Sequence, residues 1–294
     1  MQTQKAVFKG ILLPYLLLLP QMVIIVVFFF WPAGQALMQS MFMQDPFGIS
    51  KEFVGFENFE NLFKNPEYLS SVGISFTFSF FVAGTALTVS LFLAMSASHV
   101  YKGELVYKTL IIWPYAVAPV VAGVLWMFLF NPTVGVVAWL LRQMGVTWNY
   151  LLDPIQAFAL VVIAASWKQI SYNFLFFIAG LQNIPNTLVE AAAIDGAGPT
   201  RRFWTVIFPL LSPTTFYLLV MNIIFSFFET FGIIHQVTQG GPGQATNIMV
   251  YKVYKDGYLG LDLGSSSAQS VILMIIVIVL TVLQFRFVER KVEY

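Results

Sequence analysis

An all-α integral membrane protein with six transmembrane helices is the architecture this sequence predicts, and three observations predict it. Of its 294 residues, 58% are hydrophobic and only 10% are charged, where a soluble domain carries about 25% charge. Six apolar stretches, 11–31, 73–95, 110–130, 157–180, 210–233 and 268–285, are each long enough to cross roughly 30 Å of hydrocarbon as a helix. The segments between them carry lysine and arginine unequally, as the two sides of a membrane require. A single transmembrane domain over residues 1–294 is expected, since no low-complexity linker or internal repeat divides the chain.

The first stretch follows Lys5 and Lys9 and runs from Ile11 to Trp31. It is longer than the roughly 7–15 residues of a signal-peptide core, so it reads as an uncleaved span despite the small residues Gly34 and Ala36. Segment 33–70 holds Asp45-Pro46-Phe47-Gly48, a predicted turn. The aromatic run from Phe53 to Phe63 then favours a short helix at the membrane interface. Pro14 and Pro20 in the first span, and Pro114 and Pro119 around the third, predict kinks or local openings. Residues 131–153 are semi-apolar and are expected to fold against the membrane surface. In segment 234–267, Gly240-Gly241-Pro242-Gly243 forces a turn. Tyr251, Tyr254 and Tyr258 suit the headgroup belt.

An even number of spans puts both termini on one side. If that side is the cytoplasm, the inner segments hold Lys5, Lys9, Lys102, Lys108, Arg201, Arg202, Arg286, Arg290 and Lys291. The outer segments hold Lys51, Lys64, Arg142, Lys252 and Lys255. Nine against five favours cytoplasmic termini, and the same choice places segment 183–209 in the cytoplasm.

Several function classes are excluded. Without cysteine there are no disulfides, thiolate metal sites or cysteine nucleophiles. A net charge of +1 gives no reason to expect nucleic acid. No nucleophile with a base, and no cluster of acids at one depth, suggests a catalytic residue. His99 and His235 fall at opposite membrane faces, which excludes a shared metal. Met38, Met41 and Met43 read as interfacial packing rather than a copper site. Asp45, Glu52, Glu57, Glu60 and Glu67 read as a solvated outer surface in preference to one that pairs with a protein outside the membrane.

The polar insert at 183–209 is the most informative segment. Asn186 suits a helix N-cap, with a helix over about Thr187–Asp195. Gly196 and Gly198 break it, and Pro199 suits the first turn of a second helix leading through Phe203 and Trp204 to Pro209. The three alanines 191–193 leave little bulk, so the first helix can enter a cleft on another protein, with Glu190, Arg201 and Arg202 as fixed charges around it.

Glu190-Ala191-Ala192, then Asp195-Gly196, then Ile207 and Pro209 at this spacing, resemble the EAA loop of permease subunits of binding-protein-dependent ABC importers. Phe53–Phe63, Gly240-Gly241-Pro242 with Thr246, and the six-span plan look like the sugar-type, maltose-like branch. Further segments extend the resemblance over nearly the whole chain: Trp31–Gly34, Asp45–Gly48, Trp113–Pro119, Ser166–Phe174 and Leu261–Leu263 before Ser265–Gln269. The resemblance implies the type I importer permease fold, with the insert as a cytoplasmic coupling helix-turn-helix. Glu190, Ala191, Ala192, Asp195, Gly196, Arg201 and Arg202 would meet an ATPase subunit. It also implies a bacterial inner-membrane location and three kinds of protein partner: a second, different permease forming a heterodimer, two copies of an ABC ATPase, and a periplasmic solute-binding protein. ATP and magnesium would bind those ATPases and not this chain, which has no Gly-Lys dipeptide and hence no phosphate loop of the Walker A kind.

Lys168 is a charge inside a predicted span, which costs at least about 2.5 to 3.5 kcal/mol at mid-membrane and marks a cavity or a partner. Tyr172 lies one turn on and shares its face, while Gln169 and Asn173 form a second polar pair around the side. A cation with phenol and amide donors at this depth suits an anionic phosphoryl group. Two readings compete: pairing with Glu229 as a structural bridge, which needs an awkward depth offset of about 10 Å at helical rise, and snorkelling of the side chain. The translocation-path candidates are therefore Lys168, Tyr172, Gln169, Asn173 and Glu229. A sugar or oligosaccharide permease of the same family is the alternative, with Lys168 structural. A secondary transporter would need related halves in one chain or more intramembrane charges.

Overall fold

The computed structural model describes residues 12–45, 49–97 and 103–288. Lys5, Lys9, Lys102, Arg290 and Lys291 of the charge argument, His99, and Pro46–Gly48 of the predicted turn lie outside the described residues. The chain divides into two units, 1–64 with 255–272, and 65–254 with 273–294.

In the first unit, helix α1 (Leu13–Gln39) has a mean hydropathy of 2.4 and buries none of its most apolar stretch. Pro20 is accommodated within the helix. The helix runs eight residues past the expected end at Trp31. A small antiparallel hairpin follows, which the all-helical expectation did not contain: β1 (Phe42–Gln44) pairs with β2 (Lys51–Phe53), Phe42 opposite Phe53. The short helix expected near Phe53–Phe63 is α2 (Glu57–Lys64). Its buried Asn58 amide donates to the carbonyls of Ser40 (2.9 Å) and Phe42 (3.0 Å), tying it to the end of α1.

The second unit is built on two long helices, α3 (Pro66–Ala97) and α7 (Pro154–Gln182). Both starts are specified locally. Asn65 Oδ1 accepts from the Glu67 amide (2.9 Å) ahead of α3, and Asp153 Oδ1 accepts from Ile155 (2.8 Å) and Gln156 (3.2 Å) ahead of α7. Each helix has proline in its first turn, where no amide is needed. Small buried residues let these helices pack against each other: Ser79, Ala83, Ala86 and Ser90 on α3, Ala157, Ala164, Ala165 and Ser166 on α7. Thr85 and Ser166 bond hydroxyl to hydroxyl across the contact (2.7 Å). Phe78, Val82, Leu160, Val161, Ile233 and Ile234 fill one core cluster, and Ala94, Phe174, Phe177 and Leu218 a second.

The third apolar stretch is not the single helix expected over 110–130. Helix α4 (Glu104–Ile112) runs into a tight turn at Trp113–Ala116, and α5 (Pro119–Leu129) leaves it at 106°. Pro119 is the cause: it lacks an amide hydrogen and pushes Ala118 to extended geometry (φ −61°, ψ 143°). Helix α6 (Val136–Gln143) follows before α7.

The polar insert supplies α8 (Asn186–Ile194), and a continuous helix α9 (Pro199–Glu229) then runs through the fifth apolar stretch. The fifth span thus begins at Pro199, because the second helix of the insert never stops. It ends at Glu229 rather than at 233, and Phe231–Val237 forms the separate helix α10. Wide helical turns at Phe203–Ile207 and Phe225–Glu229 interrupt the regular hydrogen-bond ladder of α9. The turn forced by Gly240–Gly243 is present, with Gly240 and Gly243 at positive φ and Thr246 Oγ1 donating to the Gly241 carbonyl (3.0 Å). Met249–Tyr254 forms α11, and α12 (Leu263–Val288) contains the sixth apolar stretch.

Candidate functional site

Two regions of the second unit carry the residues singled out by the sequence. The first is α8 and its exit. Pro185, not Asn186, holds the capping position (φ −62°, ψ 125°), and no side chain caps the helix. Its C-terminus is closed by the backbone instead. Gly196 sits at φ +81°, its amide donates to the Ala193 carbonyl (3.1 Å), and the Ala197 amide reaches the Ala192 carbonyl (2.9 Å). That pair of bonds satisfies two carbonyls that the helix end would otherwise leave open. Extended Gly198 then leads to Pro199 at the start of α9.

No residue of α8 is buried, and Ile194 is 87% exposed. Glu190, Ala191, Asp195, Gly196 and Arg201 are exposed, while Ala192 and Arg202 are half-buried. Ion pairs among the described residues include Lys64–Glu60, Lys108–Glu104 and Lys252–Glu67. None involves Glu190, Asp195, Arg201 or Arg202. The Arg202 Nε is buried without a hydrogen-bond partner. A short helix with free charges and exposed aliphatic side chains has the chemistry of a surface that another protein covers.

The second region is centred on Lys168, midway between Pro154 and Gln182 on α7. Its Nζ donates to the Tyr115 carbonyl (2.9 Å) and lies 5.5 Å from the Tyr115 ring centre. That carbonyl needs a donor because its helical partner four residues on is Pro119, which has none. The broken span and the intramembrane charge therefore satisfy one another.

Tyr172 continues the face. Its ring lies 5.6 Å from that of Tyr115, and its hydroxyl shares a hydrogen bond of 3.0 Å with Tyr217 of α9. Whichever phenol donates, the acceptor retains an O–H to offer elsewhere. Phe176 packs on both rings, at 4.9 and 5.2 Å. Tyr115 and Tyr217 remain 48% and 42% exposed, so the face is open within this chain. Glu229 is exposed and makes no ion pair with Lys168; its charge attracts Lys168 only at longer range.

Gln169 and Asn173 do not join this face. Both are buried, and the Asn173 and Asn222 side-chain amides bond reciprocally (2.9 and 3.3 Å), tying α7 to α9. Asn222→Leu strands a buried amide at a cost of about 1–3 kcal/mol, whereas Leu at both positions leaves nothing unpaired. In detergent, the single variant is expected to lower the melting temperature, and the double variant to recover most of the loss.

Tyr115, Tyr217 and Asn222 were not anticipated from the sequence. Tyr115 had a usable signal, a proline four residues downstream. Tyr217 and Asn222 had only their polarity within an apolar run. His235 lies among the rings of Phe231, Tyr251 and Tyr254, its ring stacked at 5.4 Å on Phe231 and its Nδ1 buried without a hydrogen-bond partner among the described residues.

Residues 86–294 match the family of the binding-protein-dependent transport system inner membrane component. Over 291 residues, 99% of each chain, the sequence is 59% identical to the sn-glycerol-3-phosphate transport system permease protein UgpA of Rhizobium meliloti (strain 1021). Over 294 residues, all of each chain, it is 58% identical to the protein of the same name from Pectobacterium atrosepticum. Among solved structures, a bacterial ABC transporter involved in import of the acidic polysaccharide alginate matches with a TM-score of 0.83 at 20% identity, covering 96% of each chain. A second structure, of a bacterial alginate ABC transporter in complex with an alginate pentasaccharide-bound periplasmic protein, gives 0.82 at 20% identity over 95% of this chain and 94% of that one.

Proposed function

The chain belongs to the family of binding-protein-dependent transport system inner membrane components, and from that premise we propose that it is a permease subunit of an ABC importer for sn-glycerol 3-phosphate. The observation that carries the solute is full-length identity near 59% to permeases named for that compound, joined to a mid-span lysine flanked by phenols. The proposal extends to glycerophosphodiesters, which present the same phosphoryl group with less charge.

Lys168, Tyr172 and Glu229, with Tyr115 and Tyr217, form this chain's share of the path. When solute enters, its phosphoryl oxygens replace the Tyr115 carbonyl on the lysine and accept a hydrogen bond from the spare phenol O–H. Both are charge-assisted hydrogen bonds, and both are strengthened where water is scarce. The aromatic wall accommodates the glycerol carbons. A second permease completes the cavity that the exposed Tyr115 and Tyr217 leave open.

ATP is hydrolysed on two partner ATPase subunits, and α8, with Glu190, Ala191, Ala192, Asp195, Gly196, Arg201 and Arg202, docks on one of them. The direct run of α9 from Pro199 to Glu229 supports this reading, since it joins the docking site to the path by one helix. Movement of α8 biases two states of the cavity, which is coupling by differential contact. The lysine and arginine bias supports cytoplasmic termini, leaving the opposite face to a periplasmic solute-binding protein.

The test is uptake into proteoliposomes containing the permease pair, the ATPase and the binding protein. Labelled sn-glycerol 3-phosphate is expected to accumulate only with ATP on the ATPase side, with unlabelled glycerophosphodiester competing and maltose not. Accumulation of maltose in its place, or uptake that survives omission of the ATPase, overturns the proposal.

A further inference from the structure

Residues 134–155 belong to neither the docking helix nor the path, yet they carry a run of exposed apolar side chains outside the spans. Helix α6 closes on left-handed Gly145, whose amide donates to the Arg142 carbonyl (3.0 Å) while the Val146 amide reaches that of Leu141 (2.9 Å). Its inward side packs on the core of the second unit through Val137, Leu141 and the 1% exposed Ala138. Its outward side also carries large apolar side chains, Val136, Trp139 (54% exposed) and Leu140, beside exposed Arg142 and Gln143, and is continued by Met144, Leu152 and Ile155 (80% exposed). Large apolar side chains on the outward as well as the packed side of a helix call for a cover over the outward one.

Two observations select lipid as its cover. In the chain the patch lies between two apolar helices, following exposed Phe128 and Leu129 at the end of α5 and reaching Ile155 in the first turn of the spanning helix α7. From Val134 to Val146 the only polar side chains are Arg142 and Gln143, and no acid occurs before Asp153. Arg142 also stays close to the backbone, its Nη2 donating to the Pro132 carbonyl (2.6 Å). Tryptophan beside a lone cation on an apolar helix suits the headgroup boundary and anionic lipid.

We propose that residues 134–155 form an in-plane membrane anchor, with α6 set into the lipid interface at the N-terminal end of α7. The anchor holds α5 and α7, the helices on either side of it in the chain, at a fixed depth in the bilayer.

The cysteine-free sequence permits a direct test. Leu140→Cys, Met144→Cys and Leu152→Cys are each nitroxide-labelled in the full transporter in proteoliposomes of mixed neutral and anionic lipid, with partner cysteines removed. Glu52→Cys, exposed on the β1–β2 hairpin, serves as the water-exposed reference, and Trp139→Cys replaces any variant that fails to assemble. Power saturation is expected to show, at no fewer than two of the three positions, oxygen access several-fold above nickel-chelate access relative to the reference. Adding loaded binding protein should leave that profile unchanged. Nickel access at the reference level at two positions means the face is in water, and exclusion of both reagents means that protein covers it. Either result overturns the proposal, as does occlusion on adding the binding protein.

Discussion

Lys168→Met is expected to reduce sn-glycerol 3-phosphate uptake by roughly ten- to hundred-fold, the equivalent of one lost hydrogen bond to a charged group at about 1.5–3 kcal/mol. The loss should fall on transport and not on assembly. Among the described residues Lys168 makes no ion pair, and its hydrogen bond is to the Tyr115 carbonyl. Removing it leaves that carbonyl short of a donor, in a span that is already bent by 106°. A purely structural lysine would therefore show its loss as a lower melting temperature and weaker association with the second permease. A solute-binding lysine shows it as lost uptake in a complex that still assembles.

Two further variants separate these outcomes. Lys168→Arg retains the charge and the donors, so it should keep a substantial part of uptake even if its fork fits the Tyr115 carbonyl less well. Tyr172→Phe removes one hydroxyl of the phenol pair and leaves the ring contacts with Tyr115 and Phe176, so a smaller loss is expected, seen as a raised apparent KM. Full uptake by Lys168→Met would remove the lysine from the path and leave the solute to be recognised elsewhere.

The contrast between Lys168 and its partners explains what sequence reading can reach. A charge in an apolar run is conspicuous on its own, as are six runs of spanning length and a glycine that ends a helix. The partner of that charge is 53 positions away, and only the packing of the broken third span brings the Tyr115 carbonyl to it. The break itself was half legible. Pro114 and Pro119 predicted an opening, but hydropathy averaged over a window reads straight through Val117 and Ala118, which are apolar whether helical or extended. Gln169 and Asn173 illustrate the opposite error. Their positions on the helical wheel were right, yet polarity alone does not distinguish a side chain facing a cavity from one paired across a core, and Asn222, which decides the matter for Asn173, lies on another helix. Asn186 failed as a cap because Pro185 already has the extended geometry that the capping position requires.

Gly196→Val is expected to uncouple the importer while leaving the chain in the membrane. The left-handed conformation at φ +81° costs an L-residue roughly 1–2 kcal/mol, and a β-branched side chain more. If valine moves the residue out of that region, the bonds from Gly196 and Ala197 to the end of α8 are lost, and the angle between α8 and the start of α9 is no longer fixed. A Cβ at Gly196 meets no atom within 4 Å, so any effect is conformational and not a clash. No residue of α8 is buried, so the spans have no reason to unfold. Solute-dependent ATPase activity and uptake should then fall together by ten-fold or more, with normal amounts of assembled permease pair. Gly196→Asn is the decisive companion, because asparagine tolerates the left-handed region. It should restore most of the activity if the backbone angle is what matters. If asparagine proves as damaging as valine, the glycine is needed for close approach by the partner. If valine is harmless, α8 is not held by this turn and the direct connection into α9 alone must transmit the motion.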